Sequence, residues 1–122
     1  ESMAAGLDLL CSLSCTGSRM AILGEMGEMG EEAPRLHALT GAYAAAKRPG
    51  LLICVGGELA EEMATAARLM GLDEGDVHVV PSCDVLIKRF AGVIGERDLV
   101  LVKGSRFVGL DRFVEEVCAD AR

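Results

Sequence analysis

The sequence predicts an α/β fold, a three-layer αβα sandwich with a mainly parallel sheet, and three observations predict it. Short apolar runs alternate with longer amphipathic stretches, and each boundary carries Gly, Pro, Ser or Asp, which is the pattern of repeated strand and helix units. The run at 51–55 has no polar residue, as expected of a strand covered by helices on both faces. The chain is 51% hydrophobic but only 3% aromatic, so the core must be built from Ala, Val, Leu, Ile and Met, which suits helices packed on a sheet. Successive units of this kind wind right-handed, giving a Rossmann-like arrangement.

Ser2 is placed to cap a first helix whose Met3, Leu7, Leu10 and Cys11 share one face, and the Ser-Cys-Thr-Gly-Ser loop at 14–18 ends it. Residues 20–23 form the first strand, and the loop "LGEMGEMGEE" at 23–32 leads into a helix over about 32–47. Pro34 falls in its first turn, where a missing N–H costs nothing. Leu36, Leu39, Tyr43 and Ala46 are its expected buried stripe, and Arg48, Pro49 and Gly50 stop it.

After the strand at 51–55, Gly56 and Gly57 turn the chain into a third helix, with Leu59, Met63, Ala66, Ala67 and Met70 inward and Gly71 as its stop. Residues 77–80 are the third strand. Ser82 caps a helix running to about residue 94, a turn follows at 95–98, and 99–102 is the fourth strand. The last helix spans about 110–121 and is expected to bury Leu110, Phe113, Val114 and Val117. The chain opens on a helix where this architecture opens on a strand. The single domain, 1–122, is therefore expected to lack its first strand and to be a fragment of a larger protein.

With 12 Lys and Arg against 19 Asp and Glu, the net charge is -7 and no basic run interrupts the balance, so nucleic acid and anionic membrane are not expected partners. No apolar segment approaches the roughly 20 residues that span a bilayer, and no leader opens the chain, so a soluble, cytoplasmic domain without membrane insertion is expected. The five cysteines, Cys11, Cys15, Cys54, Cys83 and Cys118, contain no C-x-x-C pair and read as reduced core residues. Neither His37 nor His78 has a cysteine at ligand spacing, so no metal is expected.

Ligands of doubly wound sheets sit beyond the carboxyl ends of the strands, so the loops starting at Gly24, Gly56, Pro81 and Lys103 should share one rim. Gly24, Gly27 and Gly30 have the wrong spacing for a dinucleotide fingerprint. Glu25, Glu28, Glu31 and Glu32 would each repel a phosphate by on the order of 1 kcal/mol. Two readings of this loop stand: Glu31 and Glu32 favour the helix N-terminus while the glycines let the chain turn, or the loop faces a cationic or amine-bearing ligand. Met26 and Met29 are expected to be exposed.

At the other end of the rim, "LVLVKGSR" sends Lys103, Ser105 and Arg106 off the fourth strand together, a set suited to a carboxylate or phosphate. The alternative for these cations is surface salt bridging. No P-loop is present, and neither the second nor the third strand ends in the aspartate that a phospho-accepting receiver needs. His37, one turn into the second helix, either points back to the rim loop or is structural or solvated. His78, alternating with valines, suits a core or edge role.

With both rim motifs in view, the sequence resembles the C-terminal domain of the ATP-dependent Mur ligases, in the branch that adds D-alanyl-D-alanine to UDP-N-acetylmuramoyl-tripeptide. "ESMAAGLDLL", "RMAILGEMGEMGEEAPRLH", "LLICVGG" and "DLVLVKGSR" carry the resemblance. The family's first rim loop resembles L-G-D-M-x-E-L-G-E followed by a helix bearing a histidine, here residues 23–32 and His37. Glu25 replaces the shorter acid. Gly27 stands where a larger residue is usual, so the loop is expected to be more mobile, and the continuation from Phe107 to Leu110 is more apolar than the pattern.

The resemblance implies an amide ligase in which ATP phosphorylates the tripeptide carboxylate and the amine of D-Ala-D-Ala attacks the acyl phosphate. It implies that ATP and Mg2+ are held mainly by other parts of the enzyme, a central ATPase domain in cis and an N-terminal domain for the UDP-sugar, with no cofactor or catalytic residue in this fragment, which alone is inert. The missing strand would end in an Asp-x-Tyr-Asn-Ala-x-Pro type motif. Gly24, Glu25, Met26, Glu28, His37, Gly56, Lys103, Gly104, Ser105 and Arg106 are the expected substrate-binding positions. The alternatives are a stand-alone α/β binding or interaction module and a sibling ligase adding a different amino acid.

Overall fold

The computed structural model describes residues 2–120. In chain order the elements are helix α1 (Met3–Ser12), strand β1 (Arg19–Gly24), helix α2 (Ala33–Ala46), strand β2 (Leu51–Val55), helix α3 (Glu58–Leu69), strand β3 (Val77–Val80), helix α4 (Cys83–Phe90), strand β4 (Leu99–Lys103) and helix α5 (Asp111–Asp120). Short 3-10 turns at Gly30–Glu32, Glu74–Asp76, Ala91–Val93 and Arg106–Val108 join them. The predicted α/β, Rossmann-like class is what is observed. The end of the last helix at Ala121 lies outside the described residues.

All strands run parallel, in the order β3-β2-β1-β4. Ile22 stands level with Ile53 on one side and Val102 on the other, so the carboxyl ends of β1, β2 and β4 finish together. Side chains alternate between the two faces, as a strand requires. Ala21, Leu23, Leu52 and Cys54 go beneath α1, α2 and α3, whereas Ile22, Ile53, Val55 and Val80 go beneath α4 and α5 with Leu86, Phe90, Leu110 and Phe113.

The buried face of α2 differs from the expected stripe. His37, Gly41, Ala44 and Ala45 face inward, while Leu36 is half-buried, Tyr43 and Ala46 are exposed, and Leu39 is 53% exposed. The reason is the close approach of α2 to α3: a Cβ at Gly41 would overlap the Met63 carbonyl, so only a small residue fits there. Leu36, Leu39 and Tyr43 instead line an apolar groove of about 280 Å³ with Met3, Leu7, Met26 and Met29.

In α3 the inward residues are Ala60, Met63, Ala64 and Ala67, with Leu59 and Ala66 half-buried and Met70 exposed. Val114 in α5 is also exposed, unlike Leu110 and Phe113. Ser82 caps α4 as expected, its Oγ accepting from the Val85 N–H at 3.3 Å, but the α-helix ends at Phe90 and continues as a 3-10 turn. Ser2 makes no such bond to α1. Among the cysteines only Cys54 and Cys83 are core residues; Cys118 is exposed. His78 lies on the edge strand β3, its ring tilted against Phe90.

Candidate functional site at the carboxyl rim of the sheet

Because the strands are parallel and in register, β1, β2 and β4 deliver Gly24, Val55 and Lys103 to one rim. The Glu25 N–H donates to the Val55 carbonyl at 3.2 Å, extending the ladder past the last strand residue, and the Gly56 N–H does the same to Val80 at 2.9 Å. Across the other side of β1, the Glu25 carbonyl accepts from both the N–H (3.2 Å) and the hydroxyl (2.9 Å) of Ser105. Gly104 lies against the backbone of Gly24. The predicted positions Gly24, Glu25, Met26, Gly56 and Lys103 to Arg106 are thus brought together.

The carboxylate of Glu25 turns inward. Its Oε2 accepts from the N–H groups of Gly57 (2.8 Å), Leu59 (3.1 Å) and Ala60 (3.2 Å), the orphan donors at the start of α3. A negative charge there is favoured by the helix dipole. Gly56 has φ +144°, and a Cβ on it would overlap the Glu25 carboxyl, so glycine is required on both counts. Glu31 and Glu32 were the acids expected at a helix N-terminus, that of α2; the carboxylate that caps is Glu25, and the helix is α3.

His37 is wholly buried rather than solvated, and it does point back to the rim loop. Its Nε2 accepts from the Met26 N–H at 2.9 Å while Nδ1–H donates to the Ala33 carbonyl at 2.7 Å, an assignment fixed by Met26 being a donor and Ala33 an acceptor. Its role in the described structure is therefore to hold the loop. Met26 and Met29, expected to be exposed, are half-buried. Glu28 is exposed at the loop tip in the left-handed region, φ +61°, and Glu32 pairs with Arg35 at 2.6 Å.

Two clefts flank the end of β4. One, of about 340 Å³, is lined by Met3, Met26, Gly27, Met29, Lys103 and Ser105; the other, of about 590 Å³, by Val102, Lys103, Gly104, Arg106, Leu110 and Asp111. Lys103 and Arg106 are exposed, and neither makes an ion pair among the described residues, so salt bridging does not account for them. Among those residues no group of three His, Cys, Asp or Glu is placed to hold a metal, and no helix is long and apolar enough to cross a membrane.

One rim residue was noted in the sequence only as part of an apolar continuation and not as a site position. Phe107 is 70% exposed, and its ring stands 3.1 Å from where a Gly27 Cβ would be. The two departures from the family pattern, a missing side chain at Gly27 and an added ring at Phe107, are thus one contact. That both departed from the pattern was the available signal.

Comparison with known proteins gives the same picture. Residues 1–106 match the family described as Mur ligase, glutamate ligase domain. Crystal structure II of MurF from Acinetobacter baumannii aligns with a TM-score of 0.79 at 20% identity, covering 97% of this chain and 25% of that one. The MurF ligase of Thermotoga maritima, solved in complex with ADP, aligns with a TM-score of 0.68 at 21% identity, covering 96% and 26%. The likeness to these structures is one of fold, and the chain spans about a quarter of their length. The family match, by contrast, runs from the first residue of α1's flank through the whole Lys103 to Arg106 loop, and on that extent the chain belongs to the Mur ligase family, as its glutamate ligase domain.

Proposed function

We propose that the chain is the amine-substrate-binding, C-terminal domain of an ATP-dependent ligase that adds D-alanyl-D-alanine to UDP-N-acetylmuramoyl-tripeptide, a cytoplasmic step in making the bacterial cell-wall precursor. The observation that carries this reading is the pair of exposed cations Lys103 and Arg106, without an ion pair among the described residues, on a rim that also presents Met3, Met26 and Phe107. A dipeptide with a carboxylate at one end and methyl side chains matches that mixture. The fold likeness to MurF structures supports the choice within the family.

In such a ligase ATP transfers its terminal phosphoryl group to the tripeptide carboxylate. The dipeptide amine then attacks the acyl phosphate, and the tetrahedral intermediate expels phosphate as the amide forms. Dividing one hard step into two is the gain. ATP and its Mg2+ are assigned to parts of the protein outside this chain, in cis. The T. maritima MurF was solved in complex with ADP, which supports a nucleotide in the whole enzyme. This domain's share is to hold the dipeptide by its carboxylate so that the amine faces the acyl phosphate, and to exclude water as the domains close.

The fold also has a place for one more strand. Helix α1 lies on the same face as α2 and α3 and packs across β4 on its way to β1. A right-handed connection into β1 on that face starts from a parallel strand beyond β4, whose outer side has no strand partner among the described residues. A strand there fits the reading of the chain as part of a larger ligase.

In the intact protein, Arg106→Ala should raise the KM for D-Ala-D-Ala about 10- to 100-fold with kcat much less changed, the size expected for losing one charge-assisted hydrogen bond. Unchanged kinetics would reject the role. The family's own label favours keeping one sibling reading in the assay, and turnover of glutamate in place of D-Ala-D-Ala would replace the dipeptide with that amino acid.

A further inference from the structure

We propose that Glu25 and His37 are positioning residues of the rim, which never touch the substrate but fix where the Lys103 to Arg106 loop stands. The proposal rests on the reading above, in which that loop receives the amine substrate's carboxylate. Its structural half stands without it.

Glu25 ties three of the rim segments together. Its N–H is bound to β2, its carbonyl to both polar groups of Ser105, and its carboxylate to three amides of α3. Ser105 opens the turn that carries Arg106, so the placing of Ser105 places that cation, beside a Lys103 already held by the pairing of β4 with β1. Met26, the next residue, is fixed to α2 by the buried imidazole of His37. The two side chains therefore fix residues 25 and 26 to two neighbouring helices, Glu25 to α3 and Met26 to α2.

The arrangement also has a consequence for selectivity. The N-terminus of α3 is the helix start that follows β2 on this rim, where an anion of a ligand would otherwise be welcome. Glu25 fills it with the chain's own carboxylate, so a substrate carboxylate is left with Lys103 and Arg106. Both effects need the charge as well as the shape of the glutamate. Glutamine in its place keeps one acceptor oxygen but gives up the negative charge.

The test has two arms. In the 122-residue chain, amide exchange followed by NMR should show Ser105, Gly57, Leu59 and Ala60 exchanging at least tenfold faster in Glu25→Ala than in the parent, and added acetate should slow Gly57, Leu59 and Ala60 again in the variant only. His37→Ala should free Met26 and leave the α3 amides protected. Should Glu25→Ala fail to fold, Glu25→Gln is read the same way for Ser105. Unchanged exchange at Ser105, or acetate without effect, overturns the proposal.

In the intact protein, Glu25→Gln should raise the KM for D-Ala-D-Ala about tenfold with kcat within twofold of the parent, a split that general loss of stability would not give. A parent protein that does not use D-Ala-D-Ala sinks the functional reading and leaves the exchange result standing. A parent that does, with an unaltered KM in the variant, overturns the positioning role.

Discussion

Cys54 shows how a single side chain reports on the packing around it. It lies in β2, wholly covered by α3, and burial pushes its thiol up from 9.0 to about 12 because the thiolate would have to leave water. Between those values the unfolded chain gives up a proton that the folded chain keeps, so the unfolded state binds fewer protons and stability falls as pH rises through that window. Urea denaturation at rising alkaline pH should show the decline, and Cys54→Ala should flatten it. Alkylation near neutral pH should mark exposed Cys118 first and reach Cys54 only on unfolding; simultaneous labelling would contradict the burial. Other residues were only half legible. The spacing of His37 behind the loop allowed it to point back, but its burial depends on α2 lying close to α3. The partners of the Glu25 carboxylate lie 32 to 35 residues away and so left no local trace.

Among the elements, α2 is where hydrophobicity alone misleads. The helix carries two possible inward stripes, one of Leu36, Leu39, Tyr43 and Ala46 and one of His37, Gly41, Ala44 and Ala45. Large apolar side chains favour the first, but close packing on α3 selects the second, because small residues let the two backbones approach. The first stripe is then shared with α1. There Tyr43 donates to Asp8, Lys47 pairs with the same carboxylate at 2.9 Å, and these contacts hold the Asp8 carboxyl below its usual range, the Tyr43 hydrogen bond foremost. Gly41→Ala tests the assignment. An exposed helix position would gain up to about 1 kcal/mol from the better helix former. At this one the new methyl meets the Met63 carbonyl, and a net loss of roughly 1–3 kcal/mol from overpacking is expected in urea denaturation. A stabilised variant would show that α2 and α3 stand further apart.

At the scale of the whole molecule, the α/β class and the alternation of elements were legible because each strand and each helix is written in a short window of sequence. The sheet edge was not, since it depends on which strands pair. In the order β3-β2-β1-β4, the inner strands β1 and β2 are almost wholly buried, whereas Leu99, Val100, Leu101 and Val102 of β4 are only half-buried. An apolar groove of about 310 Å³, formed by Val100 and Val102 with Phe113, Val114 and Val117, runs along one face of that edge. A fifth strand beside β4 would cover the groove and occupy the open row of backbone groups that edge strands present. At about 25 cal/mol per Å² of apolar area, completing the burial of four such side chains is worth on the order of a few kcal/mol. A longer form of the chain that carries a strand ahead of α1 should therefore show a higher urea midpoint, slower amide exchange along 99–103, and less concentration-dependent self-association by sedimentation than the 122-residue chain. Because a right-handed crossover through α1 into β1 would put such a strand at this edge, protection appearing at β3 instead would overturn the path drawn for α1, and no change at either edge would make β4 the border of the sheet.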